Sequence, residues 1–269
     1  MKRLRLAVTY LILAVASFLS VFPLYWMIAA STNNSTDVLA GKLTFSTNLL
    51  ANVTKLFAQQ DVGRAFANSV FYSVILCALS LAVCSIAGYG FEIFHDKIKD
   101  CLMSVLLLAM MVPFAATLIP LFRMFTAVGL QSTWLAYVLP TLSTPFLIML
   151  FRQSARSFPT EIVDAARIDG LNEFVIFVRV FVPTMKSTYA AATTVTFMNA
   201  WNSYLWPKVI MMSDKSQTMP MLVANLSSGF SIDYGVLMLG VLICSLPTGI
   251  LFLILQKNFA NGVVGAVKG

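Results

Sequence analysis

Long apolar runs alternate with shorter polar stretches along most of the chain. Six of the apolar runs contain no charged residue and have about the 20 residues that an α-helix needs to cross the hydrocarbon core of a bilayer. These runs are residues 6–30, 66–91, 101–122, 132–151, 187–207 and 234–256. The pattern predicts an all-α membrane protein with six transmembrane helices.

The first run follows Lys2, Arg3 and Arg5 and has the general form of a secretory signal. Its 25 residues exceed the apolar region of a signal peptide, and no clear cleavage motif of small residues ends it. We therefore predict that it is retained as an anchor. With the polar segment that follows, it forms an N-terminal part, residues 1–65, ahead of a single folded core, residues 66–269.

Residues 152–187 interrupt the apolar pattern, and we call this segment the elbow. It holds nine of the chain's 18 basic and 11 acidic residues. Pro159 and Thr160 are typical helix start signals, and Gly170 is a typical stop signal. The elbow is thus predicted to begin with a short helix.

A second helix is predicted to start near Asn172. Phe174, Phe177, Val178 and Phe181 recur at steps of three and four residues, which places them on one helix face. This stripe is expected to pack on protein, and Pro183 is expected to end the helix because proline lacks the backbone N–H. Two short helices joined at Gly170 would give the elbow a bent shape.

Composition and charge agree with a membrane protein. The 269 residues are 59% apolar and 11% charged, with a mean hydropathy of +0.84, which is outside the range of soluble globular chains. The net charge of +7 could indicate a nucleic-acid partner, but the basic residues are scattered at the ends of apolar runs and form no patch with aromatic residues. We therefore expect membrane lipid and no nucleic acid around the protein.

The distribution of lysine and arginine predicts the orientation. With the N-terminus in the cytoplasm, twelve of these 18 residues fall on the cytoplasmic side and six on the outer side. Cytoplasmic loops of membrane proteins carry an excess of such residues. Both termini and the elbow are therefore predicted to be cytoplasmic.

Several catalytic classes find no support in the sequence. A Gly-x4-Gly-Lys-[Ser/Thr] phosphate-binding loop is absent, so the chain is not itself an ATPase. The four cysteines have neither Cys-x-x-Cys spacing nor histidine partners, and His95 is the single histidine, so no metal site is predicted. An ion-coupled secondary transporter is an alternative, but it would be expected to carry an ionisable residue deep within a span.

The elbow carries the spacing Asp-Ala-Ala-x3-Gly-x9-Val-x-Val-Pro, formed by Asp164, Ala165, Ala166, Gly170, Val180, Val182 and Pro183. It resembles the EAA loop of bacterial ATP-binding-cassette (ABC) importer permeases, whose pattern is Glu-Ala-Ala-x3-Gly-x9-Ile-x-Leu-Pro. In that family the loop is a cytoplasmic coupling helix that inserts into a groove on the ATPase. The resemblance implies that the residues coupling this chain to an ATPase are Glu161, Asp164, Ala165, Ala166, Arg167, Asp169, Gly170 and Pro183.

Two further stretches resemble the same family. The segment from Asn199 to Pro207 is similar to a segment of maltose-type sugar permeases, Ala-Trp-Asn-x-aromatic-x-aromatic-Pro, in which the second aromatic residue can be Trp. The tail from Phe259 to Gly269 is similar to the family's ending. The resemblance implies the type I ABC importer permease fold, in which the predicted core, residues 66–269, is the permease core and the elbow its coupling loop. It also implies a bacterial inner-membrane location and a sugar, oligosaccharide or polyol as solute, with a non-sugar solute as the alternative.

The resemblance further implies the partners of the chain. Six spans form half of such a translocator, so a homologous permease subunit would complete it. Two ABC ATPase subunits would bind ATP and Mg²⁺ below, and an extracytoplasmic solute-binding protein would deliver the solute from above. The chain itself would hold no cofactor.

A polar stripe along the fifth run is a candidate substrate pathway. Thr193, Thr196, Asn199 and Ser203 follow one another at three- and four-residue steps, and Asn202 lies at the edge of the stripe. Unpaired amides and hydroxyls are costly in hydrocarbon, so the stripe faces protein or water. Contact with a solute and hydrogen bonding between helices are both open.

Trp206 in the same run is followed by Pro207 and Lys208. A tryptophan beside a charged residue at the end of a span is typical of the aromatic belt at the membrane surface. We therefore expect Trp206 to lie at the membrane interface, with stacking on the apolar face of a sugar ring as the alternative.

Overall fold

The computed structural model describes the backbone of residues 2–229 and 231–267, and the side chains of residues 2–3, 5–229 and 231–256. The side chains of the predicted family signature from Phe259 to Gly269 thus lie outside the described residues. The described helices are α1 (Lys2–Ser31), α2 (Ser35–Leu39), α3 (Leu49–Gln59), α4 (Val62–Ile93), α5 (Lys97–Ala109), α6 (Phe114–Ala127), α7 (Trp134–Val138), α8 (Pro145–Arg156), α9 (Thr160–Ile168), α10 (Glu173–Ile176), α11 (Val182–Thr184), α12 (Lys186–Trp201), α13 (Leu205–Ile210), α14 (Met219–Ser227) and α15 (Tyr234–Val267).

Three described helices are long and apolar enough to cross a membrane alone. They cover Arg5–Ser31, Val62–Ile93 and Tyr234–Gln256. Three pairs of helices, each bent at a short break, are long and apolar enough to cross a membrane when the two members are taken as one span. These pairs are Lys97–Ala109 with Phe114–Ala127, Trp134–Thr141 with Pro145–Arg156, and Glu173–Thr184 with Lys186–Trp201. An all-helical membrane protein is confirmed, whereas the count of six spans depends on treating each bent pair as one span and stays a prediction.

The predicted third and fourth runs are not straight helices. The axis turns by 99° between α5 and α6 and by 54° between the segment Trp134–Thr141 and α8. Pro113 precedes the first residue of α6, and Pro145 is the first residue of α8. Because proline fits the first turn of a helix and lacks the N–H that would extend a preceding one, each break falls at a proline.

The predicted fifth run is also interrupted. Helix α12 ends at Trp201 and has 16 residues, which gives a length of about 24 Å at 1.5 Å per residue. That length is below the roughly 30 Å of a bilayer core. Helix α12 reaches the length of a membrane span only together with the second helix of the elbow, residues Glu173–Thr184, and the two helix axes differ by 83°.

The chain divides into two compact units, and the first comprises residues 1–66 and 219–247. Asn52 is buried in this unit and donates hydrogen bonds to the carbonyl oxygens of Ser31 and Asn33, both at 2.9 Å. A Cβ at Gly235, in the first turn of α15, would lie 2.3 Å from the Asn33 carbonyl oxygen. Glycine therefore allows the start of α15 to pack against this hydrogen-bonded turn.

The second unit comprises residues 67–218 and 248–269. One apolar cluster in it contains Tyr72, Phe125, Tyr137 and Trp206, and another contains Phe151. A third cluster holds the elbow and is described below. The division into residues 1–65 and 66–269 that the sequence suggested stays a prediction.

Candidate functional site

The first helix of the elbow is α9, and its boundaries follow the predicted signals. Pro159 precedes its first residue, Thr160, and Gly170 follows its end with a φ of +80°. The N–H of Gly170 donates to the Arg167 carbonyl at 3.0 Å, and the N–H of Leu171 donates to the Ala166 carbonyl at 3.1 Å. This is the Schellman arrangement, which needs a left-handed residue after the helix. A Cβ at Gly170 would meet nothing within 4 Å, so its cost of about 1 kcal/mol would come from the backbone conformation alone.

The second helix of the elbow contains a π-helical turn. The side chain of Asn172 accepts a hydrogen bond from the Val175 N–H at 2.9 Å and so begins α10 as predicted. From Phe177 to Phe181 the chain is π-helical, before α11 continues to Thr184. The expectation that Pro183 ends the helix is therefore wrong by two residues, since the regular conformation is lost at Met185.

The π-helical turn also changes which side chains are buried. Phe177 and Phe181 are buried as expected, but Phe174 is 71% exposed and Val178 is 44% exposed. The predicted stripe of four apolar residues is wrong for these two positions. A π-turn has more residues per turn than an α-helix, so the three- and four-residue spacing no longer keeps all four residues on one face.

The two elbow helices share an apolar core with the end of α4, and we call this cluster the elbow core. Its buried members are Tyr89, Ala155, Phe158, Val163, Ala166, Ile176, Phe177 and Phe181. The Tyr89 ring lies 5.3 Å from the Phe177 ring and 4.9 Å from the Phe181 ring. The elbow is thus a packed subdomain fixed to a long membrane helix.

The two predicted small residues of the elbow have different environments. Ala166 is 7% exposed and belongs to the elbow core, whereas Ala165 is exposed. Val163 and Ala166 are three residues apart and share the buried face of α9. Ala166 is therefore small because the core is packed closely around it.

Charged residues link α9 to the second elbow helix. Arg167 forms ion pairs with Asp164 at 3.0 Å and with Glu173 at 2.7 Å. The hydrogen bond with Glu173 raises the pKa of the Arg167 guanidinium. The hydroxyl of Tyr89 donates to the second oxygen of Glu173 at 3.3 Å. Arg167 and Asp164 therefore form an ion pair on the elbow surface.

The rest of the predicted coupling set lies on the elbow surface. Glu161, Asp169 and Pro183 are exposed. Ile168 was not among the predicted residues, yet it is 86% exposed at the end of α9. Glu161, Asp164 and Ile168 share the exposed face of α9 through their three- and four-residue steps. An isoleucine on an otherwise charged helix face was the sequence signal that could have identified it.

A cavity of about 470 Å³ lies in the second unit. Its lining includes residues at the break between α5 and α6, at the break between α7 and α8, and at the end of α12. Its aromatic lining residues are Phe114, Tyr137, Phe146, Tyr204 and Trp206. Its polar lining residues are Thr141, Thr144, Thr196, Asn199 and Ser203. The described lining contains no charged side chain. Aromatic faces with a few hydroxyl and amide groups are suited to a neutral polyhydroxylated solute.

The predicted stripe on α12 coincides with this cavity in part. Thr196, Asn199 and Ser203 line it, and the Thr196 hydroxyl is buried without a hydrogen-bond partner. Thr193 and Asn202 are not among the lining residues. The Asn202 amide instead donates to the Met198 carbonyl at 2.9 Å. Helix α12 ends at Trp201, so the helical spacing that defined the stripe does not extend to Asn202.

Trp206 does not lie at the surface of the protein. It is 3% exposed, its indole N–H donates to the Ala136 carbonyl at 2.7 Å, and its ring lies 5.6 Å from the Phe125 ring. A side chain enclosed by protein in this way is not part of a lipid-facing aromatic belt, so that expectation is wrong. The loop at residues 202–204 turns α13 back into the protein, which places Trp206 in a cluster of aromatic residues and beside the cavity.

Comparisons with known proteins identify relatives over nearly the whole chain. A family model described as "Binding-protein-dependent transport system inner membrane component" matches residues 85–265. The chain is 44% identical to the lactose transport system permease protein LacG of Rhizobium radiobacter over 99% of this chain and 98% of the relative. It is 34% identical to the arabinooligosaccharides transport system permease protein AraQ of Halalkalibacterium halodurans over 95% of this chain and 94% of that protein.

A solved structure has the same fold. It is a chain of a bacterial ABC transporter involved in the import of the acidic polysaccharide alginate, with a TM-score of 0.85. The match covers 96% of this chain and 97% of that chain at 19% sequence identity. The order of helices in the present chain is therefore an established one.

Proposed function

The chain belongs to the family of binding-protein-dependent transport system inner membrane components, and we propose that it forms half of the pathway by which an ATP-driven importer takes up a neutral sugar, oligosaccharide or polyol. It is a multi-pass membrane permease subunit of an ABC importer and not an ATPase. Such importers work with ATPase and solute-binding subunits. Membership of this family removes the alternative of an ion-coupled secondary transporter.

One observation supports the class of solute. The described lining of the cavity is aromatic and polar but uncharged. An ionised solute that moved from water into this cavity would therefore meet no counter-charge from this chain, and burial of an unpaired charge costs several kcal/mol. A relative that is 26% identical over 97% of this chain is the sn-glycerol-3-phosphate transport system permease protein UgpE of Escherichia coli. The uncharged lining favours sugars such as those named for LacG and AraQ over a phosphorylated solute.

The elbow supports the proposed coupling. It presents Ile168 at 86% exposure and Phe174 at 71% exposure, and a partner that covered these two side chains would gain the free energy of removing apolar surface from water. We propose that a groove on the ATPase receives them, with Glu161 and Asp169 beside them. Two ATPase subunits, which hold the ATP and Mg²⁺, would move this elbow and that of a homologous permease, and the two permease halves would rotate to alternate access.

Uptake in reconstituted vesicles tests the function. The chain would be purified with its homologous permease, ATPase and solute-binding protein and tested with radiolabelled lactose, arabinotriose and sn-glycerol 3-phosphate. We expect ATP-dependent accumulation of lactose or arabinotriose and none of the phosphorylated solute. Uptake of sn-glycerol 3-phosphate alone would contradict the neutral-solute proposal. If none of the three entered, a panel of other neutral sugars and polyols would be tested, and failure of the whole panel would indicate a non-sugar solute.

The polar lining of the cavity gives a testable prediction about the pathway. Asn199→Ala should leave the thermal stability nearly unchanged and lower the uptake of the solute about fivefold, the equivalent of one hydrogen bond of about 1 kcal/mol. Thr188→Val is the control, because the Thr188 hydroxyl is buried and donates to the Ser154 hydroxyl at 2.9 Å between two helices. This control should lower stability by about 0.6 kcal/mol without altering solute preference. If Asn199→Ala behaved like the control, the stripe would connect helices and not contact solute.

Thiol labelling tests the orientation. In a variant without native cysteines, single cysteines would be placed at Thr36, Lys97 and Ser228, all of which are exposed. A reagent that does not cross membranes should label positions 36 and 228 in intact cells and position 97 only after the cells are opened. Labelling of position 97 from outside would reverse the proposed orientation of the termini and of the elbow.

A further inference from the structure

Arg152 is a buried cation at the point where the elbow begins. Its side chain is 6% exposed and forms ion pairs with Glu92 of α4 at 3.1 Å and with Asp100 of α5 at 2.5 Å. Arg152 itself is in α8, eight residues before the first residue of α9. One side chain therefore joins the helix that leads directly into the elbow to the cytoplasmic ends of two other helices.

Helices α4 and α8 also touch through their backbones at this level. A Cβ at Gly88 would lie 2.8 Å from the Arg152 backbone nitrogen and 2.5 Å from the Phe151 Cβ. Such distances are too short for any side chain, so only glycine allows this approach. The two helices are thus in rigid contact next to the ion pairs, and a displacement of one requires a displacement of the other.

The end of α4 is attached to the elbow as well. Tyr89 belongs to the elbow core, and its hydroxyl donates to Glu173 at 3.3 Å. Within residues 88–92, α4 therefore contacts α8 through Gly88, the elbow core through Tyr89 and Arg152 through Glu92. A push on the elbow would be transmitted directly to α4 and α8.

Helix α5 leads from Arg152 towards the cavity. Asp100 is in the first turn of α5, and the helix ends at the 99° bend before α6. Met110 and Phe114 lie on either side of this bend and line the cavity. A movement of the base of α5 would therefore reach residues in the cavity wall.

We propose that Arg152, with Glu92 and Asp100, is a positioning cluster that transmits movement of the elbow to α4 and α5 and so couples ATP hydrolysis to opening of the cavity. The inference rests on the proposed function. A buried ion pair is weak evidence for stability, because the cost of removing its charges from water offsets the attraction between them. The cluster connects three separate helices with one planar guanidinium, which is suited to holding two carboxylates in fixed directions.

The decisive variant removes all three charges together. Arg152→Met combined with Glu92→Gln and Asp100→Asn leaves no unpaired buried charge, so the assembled complex should form in wild-type amounts. In vesicles supplied with ATP and the radiolabelled lactose or arabinotriose that the wild type imports, we expect ATP hydrolysis to continue. The number of ATP molecules hydrolysed per solute imported should rise about tenfold, within the range by which residues between coupled sites alter coupling.

Two further variants complete the test. Arg156→Gln is the matched control, because Arg156 also pairs with Glu92, at 3.2 Å, but is 54% exposed; its ratio of ATP to solute should equal that of the wild type. Arg152→Lys keeps the charge without the planar fork and should give an intermediate ratio.

The outcomes separate the inference from the proposed function. If the triple variant fails to assemble, or assembles and keeps the wild-type ratio, the cluster stabilises the fold without transmitting movement and the inference is wrong. If the wild type imports no neutral sugar or polyol, the proposed function itself fails. A wild type that imports sugar beside a triple variant with an increased ratio supports both.

Discussion

Replacement of Ile168 by aspartate is expected to detach the ATPase from the assembled transporter. Ile168 is the most exposed large apolar side chain of the elbow, at 86%. If it enters the groove of the ATPase, the substitution places a carboxylate in an apolar contact, and central interface residues of this kind contribute about 2 kcal/mol or more. The ATPase should then co-purify at least about thirtyfold less efficiently, as that energy requires, and uptake should be lost.

The control for this prediction is Ile98→Asp. Ile98 is 73% exposed in the first turn of α5, where an acidic residue is favoured by the helix dipole. It lies outside the elbow, so the complex should keep its ATPase. Hydrogen exchange of α9 should be unchanged in Ile168→Asp, since the side chain is outside the elbow core. Normal recovery of the ATPase with Ile168→Asp would exclude this face of α9 as the docking surface.

Local signals in the sequence were sufficient to locate the elbow. Pro159, Asn172 and Gly170 act through their own backbone or through hydrogen bonds to residues three positions away, and such signals can be identified without knowledge of the fold. The exposure of Phe174 could not be predicted, because it follows from the π-helical turn at Phe177–Phe181. The sequence pattern assumes the α-helical period, and a change of period within a helix leaves no mark in it.

The apolar runs predicted a membrane protein but not the path of its helices. The proline at each break was visible, yet a proline within an apolar run is compatible with a small kink or with the 99° bend before α6. The same uncertainty affected Trp206. Its neighbours along the chain suggested the membrane surface, whereas its position is determined by Ala136 and Phe125, which are 70 and 81 residues away in the sequence. Contacts between segments that are far apart in the sequence cannot be predicted from the sequence of one of those segments alone.

The second large effect is expected from Ala166→Asp. Ala166 is 7% exposed in the elbow core with Val163, Ile176 and Phe181. A carboxylate there would be buried without a counter-charge, because Arg167 is held by Asp164 and Glu173. The cost of such a substitution is about 3 kcal/mol or more. The elbow should therefore unfold locally while the membrane helices stay inserted, and both ATPase recovery and uptake should be lost.

Ala165→Asp is the matched control, since the neighbouring side chain is exposed and an added carboxylate would remain in water. Hydrogen exchange measured on residues 160–181 in the purified complex separates the two variants. The amides of α9 and of the second elbow helix should exchange at least about a hundredfold faster in Ala166→Asp, the equivalent of roughly 3 kcal/mol. They should exchange at the wild-type rate in Ala165→Asp, whatever this variant does to ATPase binding. Equal exchange in the two variants would show that Ala166 is not enclosed by the elbow core, and the loss of coupling would then need a different physical explanation.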